Sequence, residues 1–402
     1  MSGRQAVTVD VPRQGRGRVW LLAALVLLSL NLRPPMSAVS ALLPAIRSDL
    51  DLTGAAASVL TTLPTIGLAV FAFLGPRLTG RWGEERLIAG STLVIVAGNL
   101  VRLMPSVAAL FAGTVLLGAG IGIVTGAIPG LVKRVFPANF AGLMALYTVT
   151  LTVGAAGGSG LANPIGYALH ASWPVPLALI TVPLAVVAGL WWAPDLGRSP
   201  GVRTRATIPA ALWRDALAWQ VTGFFACTGF IFYFVLSWLP TVCHDRGMGT
   251  TASGLVLSVV AVVQIFGSLA VPVVLRHTRD QRGLAVVLAT LNAIGLTGVI
   301  LGPVPVFVWA AAIVLGIGLG LGFGLAMTLI GLRAPDARTA TGLSGMTQGV
   351  GYAISAVGPF GTGLLRGATG GWVAPLVLLV VVGVVQAAMG LGAGRAGEVR
   401  SG

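Results

Sequence analysis

Apolar positions along this chain fall into long runs, interrupted by short clusters of charge, proline and glycine. The runs cover residues 19–43, 56–76, 87–104, 107–131, 141–163 and 173–193, then 217–240, 251–275, 284–301, 305–331, 340–365 and 372–391. At a rise of about 1.5 Å per residue, runs of this length suit a hydrocarbon layer about 30 Å thick. Only a helix, or a closed barrel of much shorter strands, satisfies its backbone there, so the pattern predicts membrane helices. Twelve of them predict an all-α polytopic membrane protein with both termini on one side. The longest polar connection, 194–213, carries Asp195, Arg198, Pro200, Arg203 and Arg205. It predicts a linker between two six-helix bundles, 19–193 and 214–391, with polar tails at 1–18 and 392–402.

Composition sharpens this picture. Of 402 residues, 56% are hydrophobic and 9% charged, against roughly 25% charged in an average soluble protein. No sizeable soluble domain fits beside twelve helices. Arg16 and Arg18 before a leucine-rich stretch look like the start of a signal peptide. That stretch is longer than the roughly 7–15 residues of a signal core and has no small-residue cleavage site, which favours a first membrane helix.

The net charge of +14, from 25 basic and 11 acidic residues, would suggest a nucleic-acid partner in a soluble chain. Its distribution gives another reading. Arg4, Arg13, Arg16, Arg18, Arg77, Arg81, Arg86, Lys133, Arg134, Arg198, Arg203, Arg205, Arg214, Arg276, Arg279, Arg282, Arg333, Arg338, Arg395 and Arg400 share one side. The other side has Arg47, Arg102, Arg246 and Arg366. This asymmetry predicts cytoplasmic termini in a multi-pass protein of the cell membrane. The excess positive charge then serves topology and contact with anionic lipid rather than nucleic acid.

The halves resemble each other. Ala41–Asp49 lies 196 residues before Ser237–Asp245, with a proline at the same place, Pro44 and Pro240. The register continues through Pro76 and Pro272, and the expected loop Gly80–Arg86 lies opposite the expected loop Arg276–Arg282, where Arg81 faces His277, Glu84 faces Asp280 and Arg86 faces Arg282. Gly118, Gly120 and Gly122 recur 198 residues later as Gly316, Gly318 and Gly320. A duplicated six-helix unit suits rocking of two halves about a central site.

One charge falls near the middle of a span. Arg33, in Asn31-Leu32-Arg33-Pro34-Pro35, lies about 14 residues into the first run. All eleven acidic residues lie in tails, loops or span ends, so no carboxylate within the membrane is available to it. Its guanidinium keeps its proton and offers a planar fork of donors suited to a small planar anion, a carbonyl or a nitro group. Pro34 and Pro35 cannot donate to the helical ladder and predict a kink or unwinding beside it. Snorkelling, or bonds to helix carbonyls, is the competing reading. Arg102, near a span end, reads either as a gate or vestibule residue or as an interfacial arginine.

Asn31, Tyr147, Tyr233, Trp238, Gln264, Gln348 and Tyr352 are the polar and aromatic residues that could complete a substrate cavity around Arg33. Trp82, Trp191, Trp192, Trp213, Trp219, Trp309 and Trp372 lie near span ends and read as interface anchors. The small-residue stretch Gly154–Gly160, followed by Asn163-Pro164, allows a close helix crossing and a bend. His170, His244 and His277 make no metal cluster with Cys227 or Cys243, and no nucleophilic triad, disulfide framework or phosphate loop is visible. We therefore expect no enzyme activity, no cofactor and no metal.

At this level the chain resembles the major facilitator superfamily and, within it, the cyanate and 2-nitroimidazole transporter (CynX/NimT) family. The resemblance runs from about 18 to 391. It rests on Asn31-Leu32-Arg33-Pro34, Pro129 with Lys133-Arg134 and Phe136-Pro137, and Phe232-Tyr233 with Trp238-Leu239-Pro240. Leu329–Arg333, Leu343–Gln348, Val350-Gly351-Tyr352 and Gly358-Pro359 add to it. Gly75–Arg86 resembles the superfamily's cytoplasmic gate motif, with Gly80 where an aspartate is usual. Thr125–Ile128 departs from the Asn-Val-Leu-like run common in relatives.

The resemblance implies a monomeric secondary active or facilitative transporter of a small solute, a cyanate- or nitroimidazole-like anion or polar heteroaromatic, working by alternating access. Arg33 is the substrate-facing residue it carries over. Arg77, Arg81, Arg86, Arg102, Pro34 and Pro35 are the expected gating residues. Without a titratable group in the membrane, facilitated movement, or a proton carried by the substrate, is favoured over a carboxylate relay. A drug or metabolite exporter of the same superfamily is the alternative, and a non-transporting sensor or a channel fits less well.

Overall fold

The computed structural model describes residues 16–196, 208–278, 280–303 and 306–400. The expected tail up to residue 15 and most of the linker, with Arg198, Pro200, Arg203 and Arg205, lie outside the described residues, as does Arg279. The N-terminal half comprises α1 (Arg16–Leu32), α2 (Pro34–Asp49), α3 (Gly54–Trp82), α4 (Glu84–Val101), α5 (Val107–Val135), α6 (Phe140–Leu169) and α7 (Pro174–Leu196). After the short α8 (Ala210–Trp213) come α9 (Ala216–Asp245), α10 (Thr250–His277), α11 (Arg282–Leu301), α12 (Val306–Arg333), α13 (Ala337–Thr369) and α14 (Val373–Ala393). Taking α1 and α2 as one kinked span, these reproduce the order of the apolar runs.

Nine segments among the described residues are long and apolar enough to cross a membrane unaided. Helices α4, α7 and α13 are not among them; α7 has a shorter described apolar stretch, Pro174–Ala188, and α4 and α13 differ in their reasons. Helix α4 opens with Glu84, Glu85 and Arg86 at one end of the bundle. Helix α13 is rich in Thr, Ser, Gly and Gln, and every residue from Thr339 to Gly349 is buried. It packs against α3, α5 and α9, so protein rather than lipid surrounds its polar groups.

The first span restarts at Arg33. This residue stays near helical geometry (φ −104°, ψ −36°), and its carbonyl accepts from the N–H groups of both Met36 and Ser37 at 3.1 Å. The two prolines thus break the ladder without unwinding the helix. The glycine run of α6 presses on this kink. A Cβ at Gly154 would stand 2.4 Å from the Leu30 carbonyl oxygen, and one at Gly158 would stand 2.7 Å from Pro34 Cα, whereas Gly157 faces open space. Gly154→Ala is therefore expected to destabilise by about 1–3 kcal/mol through overpacking. Gly157→Ala should be neutral or stabilising by up to about 1 kcal/mol through helix propensity. Thermal unfolding in detergent checks the contrast, and equal shifts would refute the crossing.

The internal repeat extends to side-chain ties. At one end the Trp173 indole donates to Asp49 at 2.8 Å, and its counterpart Trp372 donates to Asp245 at 3.0 Å. Trp372, expected as a lipid-interface anchor, is instead held by the protein, with the Arg366 guanidinium 4.8 Å from its ring centre and ion-paired to the same Asp245. At the other, basic end, Arg134 pairs with Glu84 and Glu85. There Arg333 occupies the matching place in the second half, bonding Gln281 and the Ala393 and Gly394 carbonyls.

Two expectations at the basic end need correction. The stretch Gly80–Arg86 is not a loop: α3 continues to Trp82 and α4 begins at Glu84, joined by Gly83 alone. Gly83 has φ +83°, open to glycine and strained for other residues. The polar tail expected from 392 begins inside α14, which runs to Ala393, and is docked as far as Arg400. Val399 donates to the Arg333 carbonyl and the Arg400 N–H to Asp215, both at 2.8 Å.

Candidate functional site

The kink places Arg33 between the two halves. Its guanidinium interacts with the phenols of Tyr147 on α6, Tyr233 on α9 and Tyr352 on α13. One phenol thus comes from its own half and two from the other. Tyr147 and Tyr352 are buried. The Tyr233 hydroxyl is enclosed within reach of Arg33 but completes no well-formed hydrogen bond. Rings wall the cluster: Phe225 meets Tyr352 edge-on at 5.3 Å and lies 5.9 Å from Phe323, while Phe232 meets Tyr233 edge-on at 5.4 Å.

Among the described residues, the salt bridges join Arg134 to Glu84 and Glu85, Arg282 to Asp280 and Arg366 to Asp245. None involves Arg33. Its neighbours are neutral dipoles, which orient the fork without cancelling its charge. The arrangement is suited to binding an anion or a strong acceptor between aromatic walls.

The other sequence candidates lie elsewhere. Gln348 reaches across the halves, its amide nitrogen donating to the Thr125 carbonyl at 2.9 Å and to Ser344 at 2.7 Å. Gln264 is buried where α10 crosses α12, its carbonyl pressed against Gly320. Trp238 donates to the Pro359 carbonyl at 2.9 Å and packs on Trp372 at 5.6 Å, which makes it part of the outer tie. The Asn31 amide is enclosed, with neither polar atom bonded. Arg102 is no interfacial arginine: it is 2% exposed, and its Nη1 donates to the Pro35 carbonyl at 2.8 Å. It thereby braces the start of α2 at Pro35, the residue after Pro34.

Of the expected gate residues, Arg77 lies over the Phe73 ring at 5.9 Å, Arg81 is exposed and Arg86 is half-buried. The closure between the halves at this end uses further groups. Lys133 donates to the Gly331 carbonyl at 3.0 Å. Glu84 accepts from Thr341 at 3.2 Å, and its second oxygen lies 3.3 Å from Arg134. Burial raises the Glu84 carboxyl above the usual carboxylate range, and Arg134 opposes that shift. Gly345 and Gly349 of α13 fit against Pro76 and Phe73 of α3. Lys133, Gly345 and the Glu84–Glu85 pair stand out in the sequence; which residues they meet depends on how the halves dock.

Residues 19–359 match the family model of the Major Facilitator Superfamily. The chain belongs to this superfamily. Its relatives include an uncharacterized transporter, YycB, of Bacillus subtilis (strain 168), 34% identical over 94% of both chains. The 2-nitroimidazole transporter of Escherichia coli (strain K12) is 33% identical over 98% of this chain and all of its own. The cyanate transport protein CynX of the same strain is 30% identical over 88% of this chain and 91% of its own. A solved structure of the superfamily transporter FucP in the outward conformation shares the fold with a TM-score of 0.74. It is 14% identical and is matched over 94% of this chain and all of that one. This major facilitator protein is accordingly a multi-pass transporter of the plasma membrane, and its relatives agree with the CynX/NimT resemblance read from its motifs.

Proposed function

We propose that the transported solute is a small planar anion or a polar heteroaromatic with nitro or carbonyl acceptors, held at Arg33 by its guanidinium and by Tyr147, Tyr233 and Tyr352. The observation that carries this reading is a half-buried arginine set among three phenols from both halves and facing no carboxylate. Phe225, Phe232 and Phe323 supply flat apolar walls for a ring or a linear ion. The names of two relatives, a 2-nitroimidazole and a cyanate transporter, point to the same chemistry.

Transport follows from alternating closure. The basic end, with both termini, is cytoplasmic, and bundles 19–193 and 214–391 rock as units joined by the 194–213 linker. Contacts of Lys133, Glu84, Gln348 and Gly345 hold the cytoplasmic end closed. At the other end α2 packs on α3, α6 and α7 of its own half, and the path to Arg33 opens there as the halves rock. Arg102, Pro34 and Pro35 hold the kink that presents Arg33. The unit is a monomer in lipid, and transport is facilitative, uncoupled from protons, because no titratable carboxylate lies in the membrane to relay one.

Uptake of labelled cyanate and 2-nitroimidazole into proteoliposomes, with and without a pH gradient and a membrane potential, tests this. The anion is expected to follow the potential without needing a pH gradient. Fluxes equal to empty vesicles for both solutes would reject the substrate class, and cyanate uptake that requires a pH gradient would reject the uncoupled mechanism.

A further inference from the structure

Arg102 is a second arginine of the N-terminal half that lacks a counter-charge, and it is more deeply buried than Arg33. It is 2% exposed, only its Nη1 makes a hydrogen bond, to Pro35, and its Nε–H is buried without an acceptor. It takes part in none of the salt bridges among the described residues. Asn99, three residues earlier on the same helix face, is 1% exposed, with both amide atoms buried and unbonded. Asn31, about one turn before Pro35, is also 1% exposed and unbonded at both atoms. Among the described residues, these are the two side-chain amides orphaned at both ends. The Arg102–Pro35 bond ties the end of α4, which carries Asn99, to the start of α2, directly beyond the kink from Asn31 on α1.

Buried donors without acceptors are rare and call for a ligand. Water can serve amides, but it leaves a guanidinium charge uncompensated in a low-dielectric interior. An acceptor for the Arg102 Nε–H and for the NH₂ groups of Asn99 and Asn31 must be negative, small and nearly isotropic. With Asn31, Asn99 and Arg102 each 2% exposed or less, the enclosure favours an ion of one or a few atoms over an organic acid. We propose that the N-terminal half holds a small monovalent inorganic anion, of halide size, between the α1–α2 kink and α4. It is separate from the transport site at Arg33, and it neutralises Arg102 so that Arg102 can brace Pro35.

The test uses the purified full chain in detergent. Tm is followed by tryptophan fluorescence as sodium bromide replaces sodium gluconate from 1 to 100 mM at constant ionic strength. A ligand bound only by the folded state raises Tm with its concentration, and the wild type should gain about 3 °C or more. Arg33→Gln should show the same bromide dependence, whereas Arg102→Gln and Asn99→Leu should lose it. Should Arg102→Gln fail to fold, Asn99→Leu and Asn31→Leu decide. The site is refuted if bromide and gluconate act alike on the wild type, or if Asn99→Leu keeps the shift. A shift lost in Arg33→Gln but kept in Asn99→Leu would assign the anion to the transport site and overturn the proposal.

Discussion

Arg33→Gln is expected to lower solute uptake by at least about 30-fold while Tm stays constant or rises. Glutamine keeps an N–H donor near the place of the arginine Nε but removes the charge and the outer fork. Removing one partner of a buried, hydrogen-bonded charge pair costs about 2–5 kcal/mol, or roughly 30-fold to several-thousand-fold in binding. The sign of the stability change separates function from structure. Arg33 is set among phenols with no carboxylate in contact, so its charge is a burden on the unliganded fold, and removing such a charge stabilises. Arg33→Lys keeps the charge but loses the planar fork, and should retain partial transport with a raised KM. Tyr147→Phe and Tyr352→Phe each remove one phenol dipole, worth about 0.5–1.5 kcal/mol, and should weaken uptake roughly 2- to 10-fold. Wild-type uptake by Arg33→Gln would exclude this arginine from the site; a matching fall in Tm and uptake would reduce it to a structural residue.

The span order was legible because charge, proline and glycine punctuate apolar runs that lipid forces to be helical. The kink was legible for a similar reason, since Pro34-Pro35 removes two consecutive donors from the ladder. Side-chain destinations were harder to read. Arg102 ends an apolar run, and a run's end says nothing of whether a long side chain turns to the interface or back to Pro35. Trp238 and Trp372 sit where lipid anchors sit, yet their indoles bond Pro359 and Asp245. The near-constant offset that pairs Asp49 with Asp245 also brings Trp173 close to register with Trp372, so these ties could have been found by extending the repeat search to aromatic residues. Gln348 and the three tyrosines were all visible as polar interruptions. Only helix crossing separates them, sending Gln348 to the Thr125 carbonyl and the tyrosines to Arg33.

Gly345→Leu is expected to force the cytoplasmic end open and to stop net transport. A Cβ at this position would lie 2.5 Å from Pro76 Cγ and 3.1 Å from the Ala72 carbonyl oxygen, across the seam between the halves. Neither neighbour is the end of a flexible side chain: a proline ring and a backbone carbonyl give way only if α3 and α13 part. Overpacking costs of about 1–3 kcal/mol change a two-state ratio by roughly 5- to 150-fold. The cost falls on the closed state, in which Lys133 reaches Gly331 and Thr341 reaches Glu84, so the population shifts toward the state in which they separate. Spin labels on Trp82→Cys and Arg338→Cys, both exposed at this end on opposite halves, should report a longer distance in Gly345→Leu than in the parent. Gly361→Leu is the control on the same helix, because its added side chain meets open space, and it should leave the distance unchanged. Equal distances in all three proteins, or full transport by Gly345→Leu, would show that the α3–α13 seam is not where the halves part.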